Sequence, residues 1–169
     1  SDAAFGELVN FFSKEDEPTI ILMFGDHQPA DWVVEPIYKM NGMTDSAEWS
    51  ESMERYEVPF ILWANYDIDE ESIKASLGYE DSVYQMLSVN YLGTLLFEAA
   101  GLPLSQYQQF MKAMLTKYPI ITANMFCDAQ GTSSGDQDVN TRPEEWYNYW
   151  NLNYNLLFDE KHRNNELYE

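Results

Sequence analysis

The chain has 169 residues, enough for one domain with a sizeable core, and its 45% apolar and 15% aromatic content is that of a globular protein rather than a disordered one. A formal net charge of −20 argues against nucleic acid and anionic lipid headgroups as partners, and against an anionic substrate unless a bound metal inverts the local field. One cysteine, Cys127, excludes an internal disulfide and a thiolate-rich zinc site, but leaves the compartment open between the cytosol and the outside of a Gram-positive cell.

No basic-then-apolar leader opens the sequence, and the longest apolar run, Ile20–Phe24, is far too short to span a bilayer. Ser1 reads as an arbitrary start, so the expectation is a piece of a longer protein. Residues 2–13 place Phe5, Leu8, Val9 and Phe12 at helical spacing, with Asp2 able to cap the start. Past Pro18, TIILMF is continuously apolar and rich in β-branched residues, which predicts a strand at 19–24 covered on both faces, as in a parallel sheet. Residues 28–57 read as irregular, because two prolines and Asn41-Gly42 break any period; a short helix around 46–55 is the one element considered there. VPFILWANY, 58–66, predicts a second apolar strand with Asn65 at its end, and the acidic stretch 67–80 a loop or helical turn.

From Ser82 to Ala100 the sequence predicts one long buried helix, stopped by Gly101 and Pro103. A helix over 104–117 carries Leu104, Tyr107, Phe110, Met111 and Met114 on one face and ends at Tyr118-Pro119. Residues 119–126 read as a short strand and 128–142 as a polar loop. The last helix, 143–158, opens on Pro143 and is densely aromatic, and the polar tail is expected to fray apart from Leu167 and Tyr168. This order predicts an α/β layered fold. Two or three strands are few for an independent sheet, a further hint that part of the sheet is missing.

The end of the first strand is the strongest site candidate, since ligands in open α/β sheets bind beyond the carboxyl ends of strands. Gly25 permits a sharp turn, and Asp26 and His27 supply a hard oxygen and a borderline nitrogen, a pair that suits Zn²⁺ or Mn²⁺ better than Ca²⁺. Two ligands are not a site, and the alternative is that Asp26 caps a turn and His27 lies on the surface. The acidic strings DIDEE, 67–71, and DQD, 136–138, lack the glycine of a calcium loop and read as solvated acid. Cys127 has no basic neighbour and reads as a structural thiol, His162 as a surface residue. Trp146, Tyr149, Trp150 and Tyr154 are spaced as a packing stripe, with sugar stacking as the alternative. No glycine-rich phosphate loop and no GxSxG elbow is present.

Five segments in order, DAAFGELVNFF, PTIILMFGDHQP, YEVPFILWANY, LSVNYLGTLLFEAAGLPLSQYQQFMKAM and EEWYNYWNLNYNLLFDEK, carry a resemblance over nearly the whole chain. It resembles the carboxyl-terminal part of the lipoteichoic acid synthase-like branch of the sulfatase and alkaline phosphatase superfamily. The resemblance implies that residues 1–169 are the C-terminal portion of one sulfatase-like catalytic domain, a three-layer α/β/α sandwich on a mostly parallel sheet whose N-terminal half is missing. It also implies that Asp26 and His27 bind the catalytic divalent metal, usually manganese, with zinc and magnesium as the other candidates. The family's remaining ligands, a glutamate and the nucleophilic threonine, lie upstream and match nothing here, so no catalytic nucleophile is expected in these residues. Cys127 in MFCDAQ does not match the sulfatase motif.

In the family's chemistry a metal-activated threonine attacks the phosphorus of a lipid-linked phosphoglycerol and forms a covalent intermediate. The expected parent is therefore an extracellular phosphoglycerol transferase on the outer face of the plasma membrane, anchored by upstream helices. Rival readings are a sulfatase or phosphatase-type ester hydrolase acting on a phosphate or sulfate ester, and a noncatalytic module contacting glycan or a partner. No nucleic-acid partner is expected, and self-association of an isolated fragment is.

Overall fold

A computed structural model describes residues 2–42, 53–76, 86–122, 125–131, 133–135 and 143–169. The chain divides into two compact units, one running to Asp67 and the other from Ile68. Both helices and strands are present, and the fold is mixed α/β.

In the first unit, α1 spans Asp2–Phe12 and β1 spans Ile20–Phe24, as the sequence predicts. β2, Phe60–Ala64, pairs with β1 antiparallel in a register running from Ile20 opposite Ala64 to Phe24 opposite Phe60. The expected parallel sheet is absent among the described residues, where every strand pairing is antiparallel. Continuous apolar character reports how much of a strand is covered, not the direction of its neighbour. Coverage is also incomplete: most of β1 is half-buried, and Phe24, Phe60 and Ile61 are exposed.

The stretch read as irregular contains a helix, α2, at Asp31–Met40, with Pro36 inside it. Pro36 costs the helix one backbone bond, to the Trp32 carbonyl, and this is the signal that hid it. What sustains α2 is tertiary: Val34 and Tyr38, one turn apart, are both buried, and Arg55 ties the carboxylate of Asp31, its first residue, at 2.8 Å. The opposite face leaves Trp32, Val33, Ile37 and Met40 exposed. Most of the helix considered near 46–55 lies outside the described residues, and its described end, Met53–Tyr56, is a single 3-10 turn.

The second unit opens with α3, Glu70–Ser76, where an acidic loop or turn was the expectation. Asp69 accepts the Ser72 amide at 3.0 Å and caps the start, so the acids of this segment stand at a helix N-terminus, where negative charge is favoured. The predicted long helix is much shorter. Met86–Ser88 are not helical, Val89–Tyr91 form a 3-10 turn, and α4 covers only Leu92–Ala99; residues 82–85 lie outside the described set. Ser88 is captured by the strand beyond it: its amide donates to the Pro119 carbonyl at 2.9 Å, and its hydroxyl accepts the Ile121 amide at 2.7 Å. Those bonds hold Ser88 extended and postpone the helix.

Gly101 ends α4 in the left-handed region at φ +66°, with its amide on the Glu98 carbonyl and the Leu102 amide on that of Phe97, a Schellman closure. α5, Gln106–Lys117, begins with a reciprocal box between Ser105 and Gln108. β3, Ile120–Ile121, β4, Met125–Cys127, and β5, Ser133–Gly135, form a small antiparallel sheet, the last of these strands lying in the predicted polar loop. α6 spans Glu144–Leu157. The core gathers Tyr91, Leu95, Met111, Met114, Ile121, Phe126, Cys127 and Trp146. The tail is pinned where Leu167 and Tyr168 were expected to hold: the Tyr168 hydroxyl donates to the Leu152 carbonyl at 2.9 Å. Among the described residues no helix is long and apolar enough to cross a membrane.

Candidate metal centre

The turn that follows β1 carries the two predicted ligands. The Gly25 amide donates to the Pro59 carbonyl at 3.1 Å, which continues the β1–β2 ladder by one residue. A Cβ on Gly25 would lie 2.9 Å from that of Val58, so any larger residue collides with the approach to β2. The strand therefore ends on a tightly seated glycine, and the chain leaves the sheet at Asp26. Gln28 secures the far side of the turn by donating from its side chain to the Glu57 carbonyl. Asp26 and His27 are thus presented by a turn tied back at both ends to the segment entering β2.

Both side chains face solvent, with 85% of Asp26 and 77% of His27 exposed. The His27 Nδ1 lies 2.7 Å from the Gln28 carbonyl, which can only accept, so Nδ1 carries the proton and Nε2 keeps its lone pair in the neutral ring. That is the orienting arrangement usual for a metal-binding imidazole. Nε2 lies 3.6 Å from Asp26 Oδ2. Two donors on one tetrahedral ion, each at about 2.0–2.1 Å, stand about 3.4 Å apart, so the spacing and tautomer fit a shared divalent cation. The same geometry is a weak ion pair when His27 is protonated, and His27 does lie on the surface, as the alternative reading of the sequence has it.

Among the described residues no group of three or more His, Cys, Asp or Glu side chains gathers to complete a coordination shell. The other acidic candidate that is described, 67–71, is taken up at the start of α3 rather than at a centre, with Lys74 facing Glu71 at 3.3 Å; the string 136–138 lies outside the described residues. Cys127 is fully buried on β4, as a structural thiol. His162 is on the surface, its Nδ1 3.0 Å from Asp159.

The aromatic stripe divides. Trp146 is buried against Phe126 with ring centroids 5.6 Å apart, and the Tyr149 hydroxyl accepts from Asn90 at 2.6 Å, while Trp150 and Tyr154 remain exposed. The sequence reading missed Gln28 as the strut of the turn and undervalued Asn65, whose carboxamide joins α1, β1 and β2. For Asn65 the available signal was an amide side chain directly after a strand.

No protein-family model, no curated protein and no solved structure matches the chain.

Proposed function

We propose that the chain is the carboxyl-terminal portion of an extracellular, metal-dependent phosphoglycerol transferase of the lipoteichoic acid synthase-like kind, in which Asp26 and His27 hold the divalent cation. The observation that supports this most directly is the approach of His27 Nε2 to Asp26 Oδ2 at 3.6 Å, with His27 Nδ1 held by the Gln28 carbonyl, on a turn anchored at both ends. When bound, the cation supplies Lewis-acid polarisation of a phosphoryl oxygen. Asp26 and His27 hold it and transfer no proton; Gln28 and Gly25 fix where they stand.

In this reading β1 and β2 belong to the sheet of a three-layer sandwich, mostly parallel over its full width, and the nucleophile and remaining ligands come from residues beyond 1–169. The half-buried apolar strands, which ask for further cover, support that placement. Sulfate or phosphate ester hydrolysis by the same superfamily would use the same pair, and the upstream nucleophile separates the two: threonine for transfer, a modified cysteine or serine for sulfate.

The test is a Mn²⁺ titration of the whole chain followed by NMR. Broadening should reach the His27 ring and the amides of 25–28 before the His162 ring, and Asp26→Ala should remove that preference. Equal broadening at both histidines, or none lost in the variant, overturns the reading. Because two ligands leave the shell open, affinity should be weak, and the isolated chain should turn over no phosphoglycerol or sulfate ester.

A further inference from the structure

The second unit carries an open cavity of about 520 Å³ bounded by α5, α6 and the C-terminal turn, within the usual range for small-molecule sites. Its lining is Phe110, Asn148, Asn151, Leu152, Asn155, Asn164 and Leu167. In a chain with 29 acidic residues and a net charge of −20, none of these is charged.

Asn148, Asn151 and Asn155 recur at three- and four-residue spacing, so they share one face of α6. Asn155 is the builder. Its Oδ1 accepts the Asn164 amide at 3.2 Å and lies 3.2 Å from the Tyr168 hydroxyl, whose proton goes to the Leu152 carbonyl, and its Nδ2 donates to the His162 carbonyl at 3.1 Å. Those bonds fold the tail back along α6 and bring Asn164 to the same cavity. Asn148, Asn151 and Asn164 are exposed, while Phe110, Leu152 and Leu167 are half-buried beneath them. Each amide offers donors and an acceptor at once. Tyr147 and Tyr154 stand exposed on the adjoining strip of the helix, one turn from Asn151 on either side.

We infer that this cavity binds a neutral sugar ring. Paired donors and acceptors suit neighbouring hydroxyls, and recessed Phe110 suits the apolar face of a pyranose. The charge balance disfavours an anion, and a cation would find no carboxylate in the lining. The inference concerns the second unit alone and stands or falls apart from the Asp26–His27 reading.

The whole chain is titrated with cellotriose, maltotriose and chitotriose, with trigalacturonate as the anionic control, and followed through the side-chain amide resonances of asparagine. At least one neutral trisaccharide should shift Asn148, Asn151 and Asn164 at millimolar concentration, with trigalacturonate producing no such shift. Asn148→Asp with Asn151→Asp, both on the helix surface, should weaken binding about tenfold or more by removing both carboxamide donors. Single Asn151→Asp should give a smaller loss with an unchanged backbone spectrum. Absence of shifts with all three neutral sugars overturns the inference, as does binding that both variants leave intact or shifts confined to other residues.

Discussion

The Asn65 side chain accepts the Thr19 amide at 2.8 Å, and from the same carboxamide its Nδ2 faces the carbonyls of Phe12, Glu15 and Glu17 at 3.0–3.1 Å. One side chain at the end of β2 thereby closes the connection from α1 into β1. Asn65→Asp replaces the donor with a carboxylate facing three carbonyl oxygens and should destabilise the first unit by about 2–3 kcal/mol; Asn65→Ala should cost about 1–2 kcal/mol. The urea midpoint read from β1 amide signals measures both, and fast exchange of the Thr19 amide should accompany each. Equal stability of Asp and Asn at this position would refute the role.

Gly25 predicts a second effect. The 2.9 Å contact with Val58 leaves no room for a methyl group, so Gly25→Ala should cost about 1–3 kcal/mol and displace the 26–28 turn. Val58→Gly should recover part of that loss in the double variant, because it removes the Cβ that stands at 2.9 Å, an atom alanine would keep. Full additivity of the two changes would count against the steric account.

At the start of α5 the Ser105 hydroxyl accepts the Gln108 amide at 3.2 Å, and Gln108 returns a bond to the Ser105 amide at 2.9 Å. Ser105→Ala should destabilise the second unit by about 1 kcal/mol, and Ser105→Asp by much less, since a carboxylate serves the same position. The urea midpoint from α5 amides decides it.

Alkaline pH should unfold the second unit. Burial pushes the Tyr107 hydroxyl up to about 12, with Tyr149 and Tyr168 adding to the effect, and burial raises Tyr91 further, reinforced by Tyr149 and Tyr107. An unfolded tyrosine ionises near pH 10, so the unfolded chain gives up protons that the folded one keeps. Stability from these groups is whole below about pH 10 and drains away as pH rises toward 12 and beyond. Urea midpoints from pH 9 upward should fall over that window. Tyr91→Phe should flatten the fall while costing about 1 kcal/mol at neutral pH for the lost bond to the Tyr118 carbonyl, 2.8 Å in the native chain.

Self-association should follow salt. Trp32, Ile37 and Met40 on α2 and Phe24 and Phe60 on the strands offer exposed apolar surface, while the −20 charge opposes contact between copies. Salt screens that repulsion beyond roughly 8 Å at physiological strength. Light scattering should therefore show more association at high salt than at low; the reverse order, or a strict monomer throughout, refutes it.

Local pattern alone determined where most elements of this protein lie. The apolar runs at 20–24 and 60–64, the Gly101 stop, the Ser105 start and the aromatic last helix all follow from short-range sterics and periodicity, which act within a few residues. The adjacency of Asp26 and His27 at a strand end was equally legible, because it is covalent. Distant partners decided the rest. α2 exists despite Pro36 because Val34 and Tyr38 are buried, and α4 starts late because Ser88 bonds to Pro119 and Ile121, more than thirty residues away. The antiparallel sense of β1 and β2 and the seat of Gly25 against Val58 depend in the same way on which backbone the chain meets when it returns. Hydrogen bonds and close packing between such segments are properties of a three-dimensional approach, and no window of sequence contains both sides of it.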